Sequence, residues 1–578
     1  MSEEKKATGV NRTITLVVFP LLLFLFALIG AGQGTDLSDT MYSACNYAFF
    51  DSDVSSWHFA TFLANLLGRG FYLICGGRLI GLKLLCSLVP AGTAILVYFR
   101  LKERVHPYLL FPALLITLGL NWSPSVILYQ HLSYLGLTAG ALILFYAMGK
   151  KDRRFMALAG LVLGLGLGVR ISNLTHCALI IYVIWDDLRA KQAKRLAADI
   201  LCCVGGYMAG AVLVFLLMLI SGGTDGIMRM TSWIAGLLGG SSGEGGYTLK
   251  DMIFTTADNY LGNLLFALIP AAGVAAGSIM FKLIKPGMKI AAQFVYSGGI
   301  GLIFFYYYRN GVYDFKYHNV GAIFRISVVI LILLMVLDVW VLFDKKFSSK
   351  ERGLALLALI TQLITPLGSN NHLYSCINCM YLLLPVGVHL FAGIIRLRSR
   401  ERCWHYPLLF MGVSLTLLLL VQSALFHVNF AFKDGTDGTW REYRIGREGP
   451  VMLQGMCTSY ERFTSIKNVC DMITLNYPKG EPMLTYGDIP GLHYIMNMPP
   501  AVSTAWPDLE SYPAEQYKEE LEKIEGYPIC VITEEADDLS MGERDMQDKK
   551  LSYLFAFLYN NGYEKIYDQK GFVIYERK

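Results

Sequence analysis

The stretch ITLVVFPLLLFLFALIGAG, residues 14–32, decides how the rest of the chain is read. It carries no charge over about 20 residues, the length a helix needs to cross a bilayer core of roughly 30 Å. Lys5, Lys6 and Arg12 precede it, yet the run exceeds the apolar part of a secretory leader and no small-residue cleavage site follows, so it reads as a retained first span. Twelve more stretches of this kind lie near residues 79–99, 107–120, 130–149, 155–170, 172–185, 199–220, 262–283, 290–308, 320–343, 353–367, 380–395 and 405–427. With 54% hydrophobic and 16% charged residues, the 578-residue chain is too apolar for a soluble multidomain protein. The expected fold is a polytopic α-helical membrane protein of about 13 transmembrane helices.

The loops between these spans alternate in charge. One set holds Arg100/Lys102/Arg104, Lys150/Lys151/Arg153/Arg154, Arg189/Lys191/Lys194/Arg195, Lys282/Lys285/Lys289, Lys345/Lys346/Lys350/Arg352 and Arg396/Arg398/Arg400/Arg402. The other set is almost empty of Lys and Arg. Because cytoplasmic loops retain basic residues, the N-terminus is expected in the cytoplasm of a multi-pass cell-membrane protein, and an odd number of spans puts the C-terminus outside. The net charge of +5 is spread over short loops rather than gathered on one face, which argues against a nucleic-acid partner. The 12 cysteines fall mostly in apolar runs, where a thiol acts as a small hydrophobe. Cys376 and Cys379 form a C-x-x-C without the second pair or histidine cluster that a zinc site requires.

After Phe426 the composition turns polar. The chain divides on this reading into a transmembrane domain, 1–427, and a small extracytoplasmic α/β domain, 428–578. Residues 458–475 and EQYKEELEKIEG (515–526) have helical patterns, MLTYGD (483–488), YPICVITEE (527–535) and GFVIYER (571–577) read as strands, and LSYLFAFLYNNGY (551–563) reads as a helix.

Three outer loops stand out: Gln33 to about Trp57, the glycine-rich 221–260 with GGSSGEGGY at its centre, and GSNNHLYSCINCMY, 368–381. Loops this rich in donors and acceptors suggest a cavity opening on the outer face. Asp36 and Asp39 follow the first span directly. A carboxylate there can take a proton from a hydroxyl nucleophile, or Asp36 or Ser38 can cap a short helix over DTMYSACNYAFF. Asp51 and Asp53 read as surface turn residues. Arg170 and Asn173 follow a glycine-rich helix; an arginine at that depth calls for an anionic partner such as a lipid phosphate, or else snorkels to headgroups. Arg309 and Lys316 offer a second anion site on the same face, with His318 or Arg325 beside them. Asn370, Asn371 and His372, and Tyr129, Gln130, His131 and Tyr134, suit carbohydrate, or are interfacial aromatics and turn-forming amides. No Walker loop, H-E-x-x-H or G-x-S-x-G is present, so nucleotide-driven pumping, zinc hydrolysis and serine-hydrolase chemistry have no support.

The segments TDLSDTMY (35–42), QHLSYLGLTAGALILFYA (130–147) and GLVLGLGLGVRISN (160–173), within a many-span core followed by an outer domain, resemble the polyprenyl-phosphate-sugar-dependent membrane glycosyltransferases of the C-type superfold. That family includes the protein mannosyltransferases and lipid A aminoarabinose transferases. The resemblance implies transfer of a sugar, with inversion, from a polyprenyl-phosphate-sugar donor to an extracytoplasmic glycan, lipid or protein acceptor in cell-envelope glycan synthesis. It makes Asp36 the base, with Asp39 as the alternative or as an orienting partner. It makes Arg170 a ligand of the donor phosphate, and neither a cofactor nor a metal is expected, although the D-x-x-D spacing leaves a divalent metal open. A transporter or lipid-linked-sugar flippase shares the many spans and the polar cavity, but no internal repeat is evident. A catalytically inert relative that binds a partner through its outer domain is the third reading.

Overall fold

The computed structural model describes residues 12–50, 60–239, 249–368, 371–399, 401–434, 441–509, 511–541 and 548–578. Asn370, Asp51, Asp53 and the centre of the glycine-rich loop lie outside the described residues.

Each apolar stretch found in the sequence falls on a helix. Among the described residues eight helices are long and apolar enough to cross a membrane: Leu79–Leu101, Leu128–Lys150, Ala193–Thr224, Leu249–Leu283, Lys289–Arg309, Gly321–Phe343, Met380–Leu397 and Cys403–Asn429. Ile14–Leu28, Phe62–Ile74 and Pro107–Leu120 are shorter apolar helices. The chain is therefore a multi-pass helical membrane protein. The stretch near 172–185 departs from a simple span: Ile171–Leu179 winds as a 3-10 helix before the α-helix Ile180–Arg189. Phe62–Ile74 is a further helix, between the loop that ends near Trp57 and the span that starts at 79.

Local chemistry explains several boundaries. Pro20 has no N–H to donate, and the turn before it widens to a π-helix over Ile14–Val18. Leu128–Lys150 ends on Lys151 in the left-handed conformation, and Asp152 accepts from Arg154 N to start Arg153–Val169. Ser348 and Glu351 form a capping box at the start of Ser349–Ile364. Arg153–Val169 lies backbone to backbone against the helix Ala193–Gly239. A Cβ on Gly160 would stand 2.0 Å from the Cys203 carbonyl oxygen, and one on Gly206 2.0 Å from that of Ala157. Small residues four apart are what let helices approach this closely where lipid offers no hydrophobic drive.

The C-terminal region is mixed α/β. Its four-stranded sheet runs Met483–Tyr486, Ile529–Thr533, Phe572–Arg577, Tyr563–Gln569 in spatial order; the first pair is parallel and the others antiparallel. Val531 lies opposite Ile574 in the buried centre. The region shares one apolar core with the segment after the first apolar helix: Leu37, Met41 and Ala44 pack with Leu453, Met456, Ile489 and Leu492. Gly491 donates its N–H to the Leu37 carbonyl at 2.7 Å, and a Cβ there would come within 2.8 Å of Met41. The chain after Gly32 also forms a parallel bridge between Gln33 and Cys457, with Cys457 N donating to Gly32 O at 2.7 Å and Gly34 N to Cys457 O at 2.8 Å.

Candidate functional site

The loop after the first apolar helix is held by its own turn. Asp36 is 2% exposed; its Oδ1 accepts from Ser38 N (2.9 Å) and Ser38 Oγ (2.6 Å), and its Oδ2 from Thr40 N (2.7 Å). These bonds start the helix Asp39–Ala48. Arg69, on Phe62–Ile74, donates to the carbonyls of Tyr47 (3.4 Å) and Ala48 (3.0 Å) at that helix's other end, where the backbone dipole favours a cation.

Asp39 is placed differently. Its side chain is partly open, and Lys433, just past the last helix, puts its Nζ 3.1 Å from Oδ2. Lys433 also reaches Asp488, the turn residue after the first strand of the sheet, at 3.9 Å. Burial pushes the Asp39 carboxyl above its ordinary value, Lys433 opposes this, and Asp36 and Asp488 add to it. Burial by itself would lower the Lys433 ammonium, but Asp39, Asp488 and Asp36 together hold it above its usual range.

Next to Lys433, Asp434 is fully buried and gathers the loop: it accepts from Thr35 N (2.7 Å), Thr458 Oγ1 (3.1 Å) and Arg441 Nε (2.8 Å), with Arg462 at 3.4 Å.

Two polar cavities flank the first turns of Leu128–Lys150. The larger is open to its surroundings. Its wall carries Gln33, Thr40, Lys83, Asn121, His131 and His427, and Phe430 and Phe432 form an aromatic side. Lys83 Nζ donates to the carbonyls of Gln33 (2.7 Å) and Gly34 (3.0 Å), close enough to feel the charges of Asp434 and Asp36. The smaller cavity is lined by Gln130, Ser133, Tyr134, Arg170, Asn173 and His176, among others. Arg170 lies over the Tyr129 ring at 5.4 Å, and Asn173 donates to Ser133 Oγ (2.8 Å) and Gly166 O (2.9 Å). Ser123 Oγ and Gln130 Oε1, 2.7 Å apart, link the two walls.

Of the residues singled out in the sequence, His131 lines the larger cavity and Arg170 and Asn173 the smaller. Asp36 and Asp39 stand beside the larger one, which their neighbour Thr40 lines. Arg309, Lys316 and His318 are exposed on a separate segment that lines neither cavity. Asn371 precedes the helix His372–Asn378 and also lines neither; that helix instead supplies Ser375 to the smaller cavity, and its Asn378 accepts from Trp122 N at 3.0 Å. Sequence reading missed Lys83, a lone cation inside the apolar run LIGLKLLC, and the Lys433–Asp434 pair, whose partners lie far away along the chain. Among the described residues no group of three or more His, Cys, Asp or Glu side chains is arranged to hold a metal ion.

Fold and geometry together define the class: a multi-pass helical membrane protein whose first loop, last membrane helix and C-terminal α/β region meet beside a pair of polar cavities. No protein-family model and no curated protein matches the chain. Among solved structures, the crystal structure of ArnT from Cupriavidus metallidurans bound to undecaprenyl phosphate aligns over 98% of both chains, at 13% identity and a TM-score of 0.41. A likeness of that score and identity fixes neither the fold nor the chemistry of this chain.

Proposed function

We propose that the protein is a membrane glycosyltransferase that moves a sugar from a polyprenyl-phosphate-linked donor to a glycan, lipid or protein acceptor outside the membrane, in cell-envelope glycan synthesis. The observation that supports this best is convergence. The three segments that carry the family resemblance supply Thr40 and His131 to one cavity, and Gln130, Arg170 and Asn173 to its neighbour. Two adjoining polar walls, each with one cation, Lys83 and Arg170, suit a reaction on an anionic lipid phosphate.

In this reading 13 helices cross the membrane, the basic loops and the N-terminus are cytoplasmic, and residues 428–578 form an outer domain that completes the site. Asp36 or Asp39 takes the proton of the acceptor hydroxyl as that oxygen attacks the anomeric carbon. The bond to the donor oxygen breaks on the opposite face, its electron pair leaves with the lipid phosphate, and the configuration inverts. Arg170 neutralises the departing phosphate, Lys83 provides a second cation, and His131 and Asn173 contact the sugar. Arg309, Lys316, His318 and Asn371 are outer contacts of this scheme rather than cavity ligands, and Asn370 is a substrate contact in it. No metal or cofactor takes part.

The test is incorporation of radiolabelled sugar from polyprenyl-phosphate donors by membranes holding the wild type, Asp36→Ala or Asp39→Ala at equal expression. Loss of about 10²–10⁴-fold in at least one variant is the expected result for a missing general base. Wild-type rates in both variants, or no transfer from any donor by the wild type, would overturn the proposal.

A further inference from the structure

The transferase reading leaves two carboxylates in contention for the base, and their surroundings differ. Asp36 is buried, and its two oxygens already accept three hydrogen bonds from Ser38 and Thr40, so its carboxylate is committed to starting a helix. Asp39 is partly open, and its close contacts are a weak 3.4 Å bond from Ser38 Oγ and the Lys433 ammonium.

Lys433 shows a second sign of a special role: its backbone φ is +45°, in the left-handed region that side-chain-bearing residues rarely adopt. Asp488, which it also reaches, has a φ of +60°. Asp488 is held in turn, because its N–H donates to Asp508 Oδ2 at 2.9 Å and the Trp506 indole donates to the same oxygen at 3.2 Å. The Lys433 ammonium lies 5.5 Å from the centre of the Trp506 ring and 5.7 Å from that of Phe432, and Phe432 lines the larger cavity. The groups that bear on Asp39 are thus Asp36 in its own loop, Lys433 after the last helix, and Asp488 in the sheet region.

Resting on the transferase reading, we propose that Asp39 is the base and that Lys433 is its positioning residue, an ammonium delivered from the far end of the membrane region to hold that carboxylate ionised and aimed beside the larger cavity. Asp36 shapes the loop, and Asp488 sets how much of the Lys433 charge Asp39 receives. The acid–base group is then complete only when the C-terminal region is docked.

The pH dependence of sugar transfer by the full-length protein in liposomes tests this. Lys433→Ala and Lys433→Gly should move the acid limb of the profile to higher pH, by about one unit, since an adjacent opposite charge holds a carboxyl down by roughly 1–3 units. Lys433→Arg should restore it. The glycine variant relieves the left-handed backbone, so if Lys433 served structure alone it would behave like the wild type. Asp488→Asn, which removes a like charge, should move the limb to lower pH and carries the test if the lysine variants fail to fold. Asp39→Asn should abolish the limb. Unchanged limbs in the Lys433 and Asp488 variants, or a limb that survives in Asp39→Asn and disappears in Asp36→Asn, would overturn this assignment while leaving the transferase reading intact. Absence of transfer by the wild type would overturn both.

Discussion

The two cavities share one helix but are built by opposite means. The smaller is made within the membrane helices: Asn173 bonds Ser133 and Gly166, and among the described residues none beyond Ser375 lines it. The larger depends on chain ends brought together from great sequence distance. Its Gln33–Thr40 side is fixed by Asp434, Cys457 and Gly491, all beyond the last helix. One cavity is therefore a property of the bundle, whereas one wall of the other is held in place by the C-terminal region.

The largest effect expected from breaking this contrast is at Asp434. In Asp434→Ala the buried Arg441 loses its carboxylate, a change that costs about 3–5 kcal/mol. Thermal melting of the solubilised protein should show that loss, and limited proteolysis should cut the C-terminal region first while the helical bundle persists. Uniform loss of both parts would erase the distinction.

A smaller effect comes from pH. His493, buried in the C-terminal region between Thr485 Oγ1 and the Met498 carbonyl, is pushed down to about 4 by its burial. A histidine depressed in the folded state stabilises fully above its unfolded value near 6.5, and that contribution is lost as pH falls through about 4. Between pH 7 and 4 the wild type should lose about 2–3 kcal/mol more than His493→Gln, and by melting the loss should appear in the C-terminal region. Equal acid sensitivity in the two proteins would count against a neutral, buried imidazole.

The smallest effect is expected at Asn173→Ala, which removes two buried hydrogen bonds from the smaller cavity for about 1–2 kcal/mol. Proteolysis of the C-terminal region should be unchanged. If that region loosened as well, the two cavities would be one cooperative structure.

How much of this was readable beforehand follows from range. The apolar runs were legible because bilayer thickness imposes a length on each helix. The strands at 483–488, 527–535 and 571–577 were legible from their apolar composition, but Tyr563–Gln569 was not, since its exposed edge pattern YEKIYDQ looks polar throughout. Phe62–Ile74 was left unassigned between the first loop and the span at 79–99, although its apolar spacing is helical. Asp36 and Asp39 were found as a pair from their place after the first span, and the alternative of a helix cap was raised with them. What separates the two, a lysine close to four hundred residues further on, leaves no local trace in the sequence.

The tie between Gly32–Gly34 and Cys457 has one more consequence, for biosynthesis. The acidic loop emerges from the ribosome early and must wait, unfinished, while every later helix is inserted. Its last partners arrive only with Lys433, Asp434 and Cys457. A chain stalled or misinserted anywhere in between cannot complete that loop, so the order of synthesis itself withholds the arrangement until the whole bundle has been assembled.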